Sequence, residues 1–352
     1  FPPKISPWTP ADSLAILKLY DLLNNESAKN EVIKLNLLNA GISYKRLSDI
    51  YPSMPDISNS ITLENKYLFS KEEKLENYHN NKLYIKENIY ERNINAPNAS
   101  NIWAVLGSRS ASGNTLVGYN LHSKFEIPVM WMIAKLELET GPVIGITIPG
   151  IPAIIVGRSR NFSWGISSSR VDNQDLVLEI LNEKNNKEYK SSEGFKEFET
   201  RNILIQIKDK PGITYKILTS ENGPVIPINA YGIKSIISNK FLVSIKWTGL
   251  DKKDRSMDSL IDLMMSENIE DAKKSLEHLV VPSLNFLLAN QTKAELITAG
   301  KVPLRKKSEA SNYGVIPSTG GLKKEYWLGN LSYEDNSKKK ISENGVIFNT
   351  NN

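Results

Sequence analysis

The sequence predicts an α+β protein in which helices cover a central block of antiparallel strands. Three observations predict it. Residues 1 to 50 carry helical periodicity and capping signals. From Ser100 the apolar residues change to strand patterning broken by short Gly, Ser and Asn turns, and a helical pair returns after residue 255.

In PWTPADSLAILKLYDLL, Thr9 suits the N-cap, Pro10 the first helical position and Asp12 the first turn, where a carboxylate meets the positive end of the helix dipole. NEVIKLNLLNAG fits a second amphipathic helix, stopped by Gly41. Residues 51 to 59 hold prolines. KEEKLENYHNNKLYIKENIYERNINAPN, residues 71 to 98, is dense in Lys, Glu and Asn with few aliphatic residues, so it has little to bury. Strands then follow as IWAVLG, TLVGYN, PVMWMIAKLEL, PVIGITIP, AIIVG, FSWGIS and LVLEIL, and after them ILIQIK, TYKILT and FLVSIKW. SMDSLIDLMMS and NIEDAKKSLEHLV fit the helical pair, before the strand-like SLNFLLAN and ELITAG.

Of 352 residues, 40% are apolar and 8% aromatic, enough for a sizeable core. The net charge of +5 comes from lysines scattered among acidic residues, not from a basic stripe interleaved with aromatics, so nucleic acid is not an expected partner. The absence of cysteine excludes disulfides, thiolate metal sites and cysteine nucleophiles. His79, His122 and His278 lie in separate segments, against a histidine-rich zinc site. VIGITIPGIPAIIVG, residues 143 to 157, is shorter than a membrane span and interrupted by Pro149 and Pro152; it reads as two buried strands and a turn. The chain opens at Phe1 without a signal-peptide profile and reads as a fragment or a processed product.

There is no G-x-S-x-G elbow, phosphate loop, H-E-x-x-H or G-x-G-x-x-G opening a helix. GSRSASGN, residues 107 to 114, has no helix pattern after it and reads as a strand connection. Asn98-Ala99-Ser100 matches the short N-glycosylation pattern. Ser100 stands where the solvated segment passes into the first strand, and by itself it reads as an ordinary serine at a strand start.

Ser100-Asn101-Ile102-Trp103, GSRSASG, YNLH at 119 to 122, PGIPAIIVG, SWGISSS, RVDNQDLVLEIL, PSLNFLLAN and GKVPLR occur in that order, with PWTPADS ahead of them. Together they resemble the penicillin acylase family of N-terminal nucleophile hydrolases over nearly the whole chain. The resemblance implies a four-layer αββα fold, incomplete at both ends. It also implies three regions: 1–60 as the end of an α-subunit-like helical region, 61–99 as a spacer, and 100–352 as the first part of a β-subunit-like catalytic domain.

The activity so implied is hydrolysis of a linear acyl amide, such as penicillin, cephalosporin or an N-acyl homoserine lactone, through an acyl-enzyme on Ser100. Autoproteolysis of the Ala99-Ser100 bond would expose that serine. The chemistry is economical, because an α-amino group with a reference pKa of about 7.7 to 8.0 is partly neutral at working pH and serves as the base for its own hydroxyl. The alternative is a non-catalytic degenerate fragment or binding scaffold of the same fold.

By the same resemblance, the backbone N–H of Ser168 and the side-chain amide of Asn285 are oxyanion donors, and His122 lies beside the nucleophile to hydrogen-bond its α-amine. Arg305 helps organise the site. Without the resemblance, Asn285 and His122 read as structural residues and Arg305 as a surface cation. Ser123, Val156 and Ile166 fall at pocket positions; Ser123 departs from the apolar or aromatic residue usual there, and Val156 and Ile166 imply an aliphatic acyl site. Asp172 and Asp175 match a loop where some members bind structural calcium, with a further carboxylate from the α chain; no cofactor is implied for catalysis. The implied partners are a small acyl amide and complementary α- and β-chain pieces that pair open sheet edges. The implied compartment is periplasmic or secreted.

Overall fold

Asp12 does at the first helix start what its spacing predicts. Its carboxylate accepts from both the N–H and the hydroxyl of Thr9, each at 2.7 Å, and Pro10 opens α1 (Pro10–Asn24). The computed structural model describes residues 7–52, 99–122, 127–236, 240–305, 313–321 and 327–350. The expected spacer therefore lies outside the described residues, apart from Ala99. After α1 come α2 (Ser27–Asn39), which starts earlier than NEVIKL, and α3 (Tyr44–Ile50). Between them Gly41 turns the chain at φ +86°, a value that L side chains adopt only with strain.

The strands begin with β1 (Ala99–Val105), β2 (Leu116–His122), β3 (Met132–Leu138), β4 (Gly141–Thr147), β5 (Val156–Arg158), β6 (Ser163–Ser168) and β7 (Gln174–Asn182). Next come β8 (Asn185–Ser191), β9 (Gly194–Glu197), β10 (Glu199–Ile207), β11 (Lys210–Ser220), β12 (Gly223–Pro224) and β13 (Phe241–Trp247). The helical pair is α4 (Ser256–Met265) and α5 (Ile269–Leu276). It precedes β14 (Leu284–Ala289), β15 (Ala294–Ala299), β16 (Pro303–Arg305), β17 (Ser318–Thr319), β18 (Trp327–Asn330), β19 (Lys338–Lys340) and β20 (Val346–Asn349).

One seven-stranded antiparallel sheet runs β19-β15-β14-β6-β5-β4-β3, and a three-stranded sheet, β2-β1-β20, packs against it. A third sheet joins β13, β7, β8 and β9, with β17 parallel to β7. The central strands β6 and β14 are buried on both faces, which is why FSWGIS and SLNFLLAN read as near-continuous apolar runs. On one face Trp164, Ile166, Phe286 and Ile297 meet Leu260, Leu263, Ile269 and Leu276 of the helical pair. On the other, Leu287 and Ala289 meet Ile102, Ala104 and Ile347 of the smaller sheet.

This stacking gives helix, sheet and sheet. The outer face of the smaller sheet carries Trp103 and Phe348, paired across β1 and β20 and both more than 40% exposed. Three of the four expected layers are thus seen among the described residues. No described helix is long and apolar enough to cross a membrane. AIIVG was expected to be a full strand, but only Val156–Arg158 pairs. Ala153 and Ile154 lie in a buried turn, where their carbonyls accept from Thr147 Oγ1 at 2.6 Å and Trp164 Nε1 at 3.2 Å.

A buried carboxylate fastens α1 to the sheets. Asp21 is 5% exposed and accepts from Trp247 Nε1 at 2.8 Å. Burial raises its pKa to about 6, against partial relief from Trp247 and Asn173. Its stabilising contribution is therefore complete below the unfolded value of about 3.9 and is lost as pH rises through about 6, an interval worth about 3 kcal/mol. Asp21→Asn cannot titrate. Relative to this variant, the parent protein is expected to lose about 2 kcal/mol of unfolding free energy between pH 4 and 7.5, as urea titrations at the two pH values would report. A difference between the two proteins that does not change with pH contradicts this account of Asp21.

Candidate functional site at the sheet interface

Successive residues of a strand point to opposite faces, and in β1 that alternation decides which side chains enter the molecule. Ser100, Ile102 and Ala104 point inward and are 6%, 1% and 0% exposed, whereas Trp103 faces out at 41%. Ser100 thus lies between the two sheets, across from the last residue of β6. There the backbone N–H of Ser168 donates to Ser100 Oγ at 3.2 Å.

The register of β14 supplies the next group. Asn285 lies opposite Ser167 on one side and Thr298 on the other, so its side chain shares their face, the face toward the smaller sheet. Its amide nitrogen donates to the Ser168 carbonyl at 3.1 Å, and its amide oxygen accepts from Thr298 Oγ1 at 2.7 Å. Ser167 Oγ donates to Asn349 Oδ1 at 2.8 Å, tying β6 to β20 beside the same point. Ser100, Ser168, Asn285 and Thr298 therefore form one hydrogen-bonded line on rigid strands. The Ser100 hydroxyl is thereby held beside a backbone N–H and close to an amide side chain, both carried on rigid strands.

His122 is not brought to this line. It pairs with Ala99, which puts its ring on the outer face, where its Nε2 lies 3.4 Å from the Asn101 amide nitrogen. The physical reason is the two-residue period: the neighbour of inward-facing Ser100 is Leu121, and the next residue must face away. Ser123 lies outside the described residues. Val156 and Ile166, expected in an acyl pocket, are 0% and 1% exposed and belong to the core packed under the helices.

Arg305, Asp172 and Asp175 form a separate cluster. Arg305 Nη2 lies 2.6 Å from Asp175 Oδ1 and 3.2 Å from Asp172 Oδ1, and it also donates to the Asp172 carbonyl at 3.1 Å. Arg305 Nε donates to both Asp175 oxygens at 3.2 Å, and Trp327 Nε1 donates to Asp175 Oδ2 at 2.6 Å. Glu31 of α2 is 1% exposed beside them; both its oxygens accept the Leu176 N–H at 3.2 Å. Burial pushes the Asp172 carboxyl up to about 6, though Arg305 draws it down, and burial pushes Glu31 well above its ordinary value. Burial also works against the charge on Arg305, but Asp175 and Asp172 outweigh it and hold its pKa above the usual value. Arg305 is thus a buried ion-pair partner, not a surface cation.

Calcium does not fit this donor set. The oxygens that would bind it already face guanidinium and indole N–H groups. Among the described residues, no three His, Asp or Glu side chains are grouped as metal ligands.

Three contributors escaped the sequence. Thr298 is visible only through its register with Asn285, Glu31 looks like an ordinary helix-surface charge, and Trp327 comes from a distant strand. The one available signal was Glu31, a charge three and four residues from apolar Ala28 and Leu35, on the buried side of α2.

A family model described as penicillin amidase matches residues 1–352. Acyl-homoserine lactone acylase QuiP of Pseudomonas fluorescens is 23% identical over 327 residues, covering 92% of this chain and 38% of that protein. Its counterpart in Pseudomonas aeruginosa is 26% identical over 236 residues, 66% of this chain and 27% of that protein. Penicillin acylase 2 proenzyme of a Pseudomonas species is 28% identical over 132 residues, covering 37% of this chain and 17% of that protein. The chain thus spans well under half the length of these curated relatives. A solved thermostable penicillin G acylase from Alcaligenes faecalis superposes with a TM-score of 0.61 at 20% identity, over 72% of this chain and 44% of that one. At that identity the likeness establishes the fold.

Proposed function

We propose, from the premise that this chain belongs to the penicillin amidase family, that the protein is an amidohydrolase that moves an acyl group from a linear amide to Ser100 and then to water. The observation that carries this reading is the hydrogen bond from the Ser168 N–H to Ser100 Oγ. It fixes the hydroxyl beside a backbone donor that no side-chain substitution removes. The relatives' names, acyl-homoserine lactone acylase and penicillin acylase, support an N-acyl compound as substrate.

The serine is first freed from Ala99. Ser100 Oγ attacks the Ala99 carbonyl carbon, the C–N bond breaks as the nitrogen takes up a proton, and water hydrolyses the resulting ester. Residues 61–99 are then the spacer, and Ser100 carries a free α-amine. In turnover that amine takes the hydroxyl proton as Oγ attacks the substrate carbonyl. The oxyanion is held by the Ser168 N–H and the Asn285 amide. Collapse breaks the amide C–N bond, and the proton goes to the leaving amine. Water, deprotonated by the same α-amine, releases the acid. With its ring on the outer face, His122 has no part in these proton transfers.

In this reading Thr298 positions Asn285. By donating to Oδ1 it orients the amide so that Nδ2 faces the Ser168 side. Thr298→Val is expected to lower kcat about tenfold with little change in KM, the worth of one hydrogen bond, while Thr298→Ser retains activity. Equal kcat values for all three proteins would remove Thr298 from the site.

The reading is tested by incubating the full-length protein with N-acyl homoserine lactones and penicillins and measuring released amine. Ser100→Ala is the control, and release undiminished in that variant contradicts the proposal.

A further inference from the structure

We propose that the Arg305 guanidinium is the resident cation of the Glu31, Asp172 and Asp175 cluster, standing where a divalent metal would otherwise bridge α2 to the segment entering β7. The geometry is that of an occupied cation site. Asp175 meets Arg305 through both oxygens, and Asp172 through both its carboxylate and its backbone carbonyl, at 2.6 to 3.2 Å. A planar fork of donors matches such oxygens.

The cluster is also closed over. Gly314 has φ +73°, and a Cβ there would sit 2.5 Å from Asp175 Oδ1 and 2.8 Å from Arg305 Nε. Backbone therefore packs directly on the ion pair, where a hydrated ion would need room. Calcium takes six to eight oxygens at about 2.3 to 2.6 Å, so an ion sharing Asp172 and Asp175 would have to displace the guanidinium or sit against it, positive charge on positive charge. Half-buried Lys34 and Lys246 add further positive charge, Lys246 lying 5.2 Å from the centre of the Trp327 ring. Asp172 and Asp175 thus already have Arg305, Lys34 and Lys246 around them as cationic neighbours.

The test uses the full-length protein and two probes. In thermal unfolding, the parent protein is expected to show the same midpoint in EDTA and in millimolar calcium chloride. Terbium titration, read through sensitised emission from Trp327 beside Asp175, is expected to show no saturable signal. Arg305→Ala is expected to melt several degrees lower in EDTA and to regain part of that loss in calcium. A calcium-dependent midpoint or saturable terbium emission in the parent overturns the proposal. So does an Arg305→Ala variant that melts like the parent in EDTA, or one that melts lower and ignores calcium. If Arg305→Ala does not fold, the terbium titration of the parent decides alone, with no emission supporting the proposal and saturable emission overturning it.

Discussion

Replacing Ser100 with alanine is expected to leave the Ala99-Ser100 bond uncut and to lower acyl-amide hydrolysis by on the order of 10⁴- to 10⁶-fold, the range seen when a nucleophile is removed from a preorganised site. Both losses follow from one atom, because the hydroxyl that accepts from the Ser168 N–H is the group proposed to attack first Ala99 and then the substrate. The side chain is small and inward-facing at 6% exposure, so its loss opens no large cavity. Folding should persist. The measurement is paired: intact mass for the cut, and amine release for turnover. An alanine variant that is cut normally would separate processing from Ser100, and one that turns over normally would remove Ser100 from catalysis.

Asn285→Leu is expected to lower kcat by on the order of 10²- to 10³-fold with KM little changed, because an oxyanion donor acts chiefly in the transition state. Leucine matches asparagine in reach but donates nothing. It also leaves the Ser168 carbonyl and the Thr298 hydroxyl, now bonded to the amide, without their partner, at about 1 to 3 kcal/mol for each group left unsatisfied. Activity must therefore be assayed well below the variant's unfolding midpoint, found from a thermal scan. Asn285→Asp makes the contrast sharper. It keeps the shape and the Thr298 bond but places a carboxylate where negative charge develops, so its kcat should fall at least as far. A kcat near the parent's in both variants would return Asn285 to the role of a structural asparagine.

Much of the fold was legible because local chemistry and tertiary packing agree. Thr9, Pro10 and Asp12 mark a helix start that packing retains, and the apolar runs around Trp164 and Phe286 are strands because both of their faces are covered. Ser100, Ser168 and Asn285 were named from the order of the motifs around them, and they share one hydrogen-bonded line.

The side of β1 on which His122 falls was not legible. Ile102, Trp103, Ala104 and Val105 are all apolar, so period two gives no sign of which residues face inward, and the largest of them, Trp103, is the one left exposed. The buried setting of Arg305 was not legible for a similar reason. Its neighbours in LRKK are charged, yet its partners, Asp175 and Trp327, lie on other strands, and no local pattern reports a buried ion pair assembled from three segments. Glu31 followed the same logic, since the N–H that binds it belongs to Leu176.

The account stands on Ser100 becoming a chain terminus, and intact-mass spectrometry of the protein purified from its own cells measures that directly. The predicted result is a polypeptide whose first residue is Ser100, with a mass gain of one acyl group on that polypeptide after brief exposure to substrate. A protein that hydrolyses acyl amides while the Ala99-Ser100 bond remains intact in every molecule would contradict it.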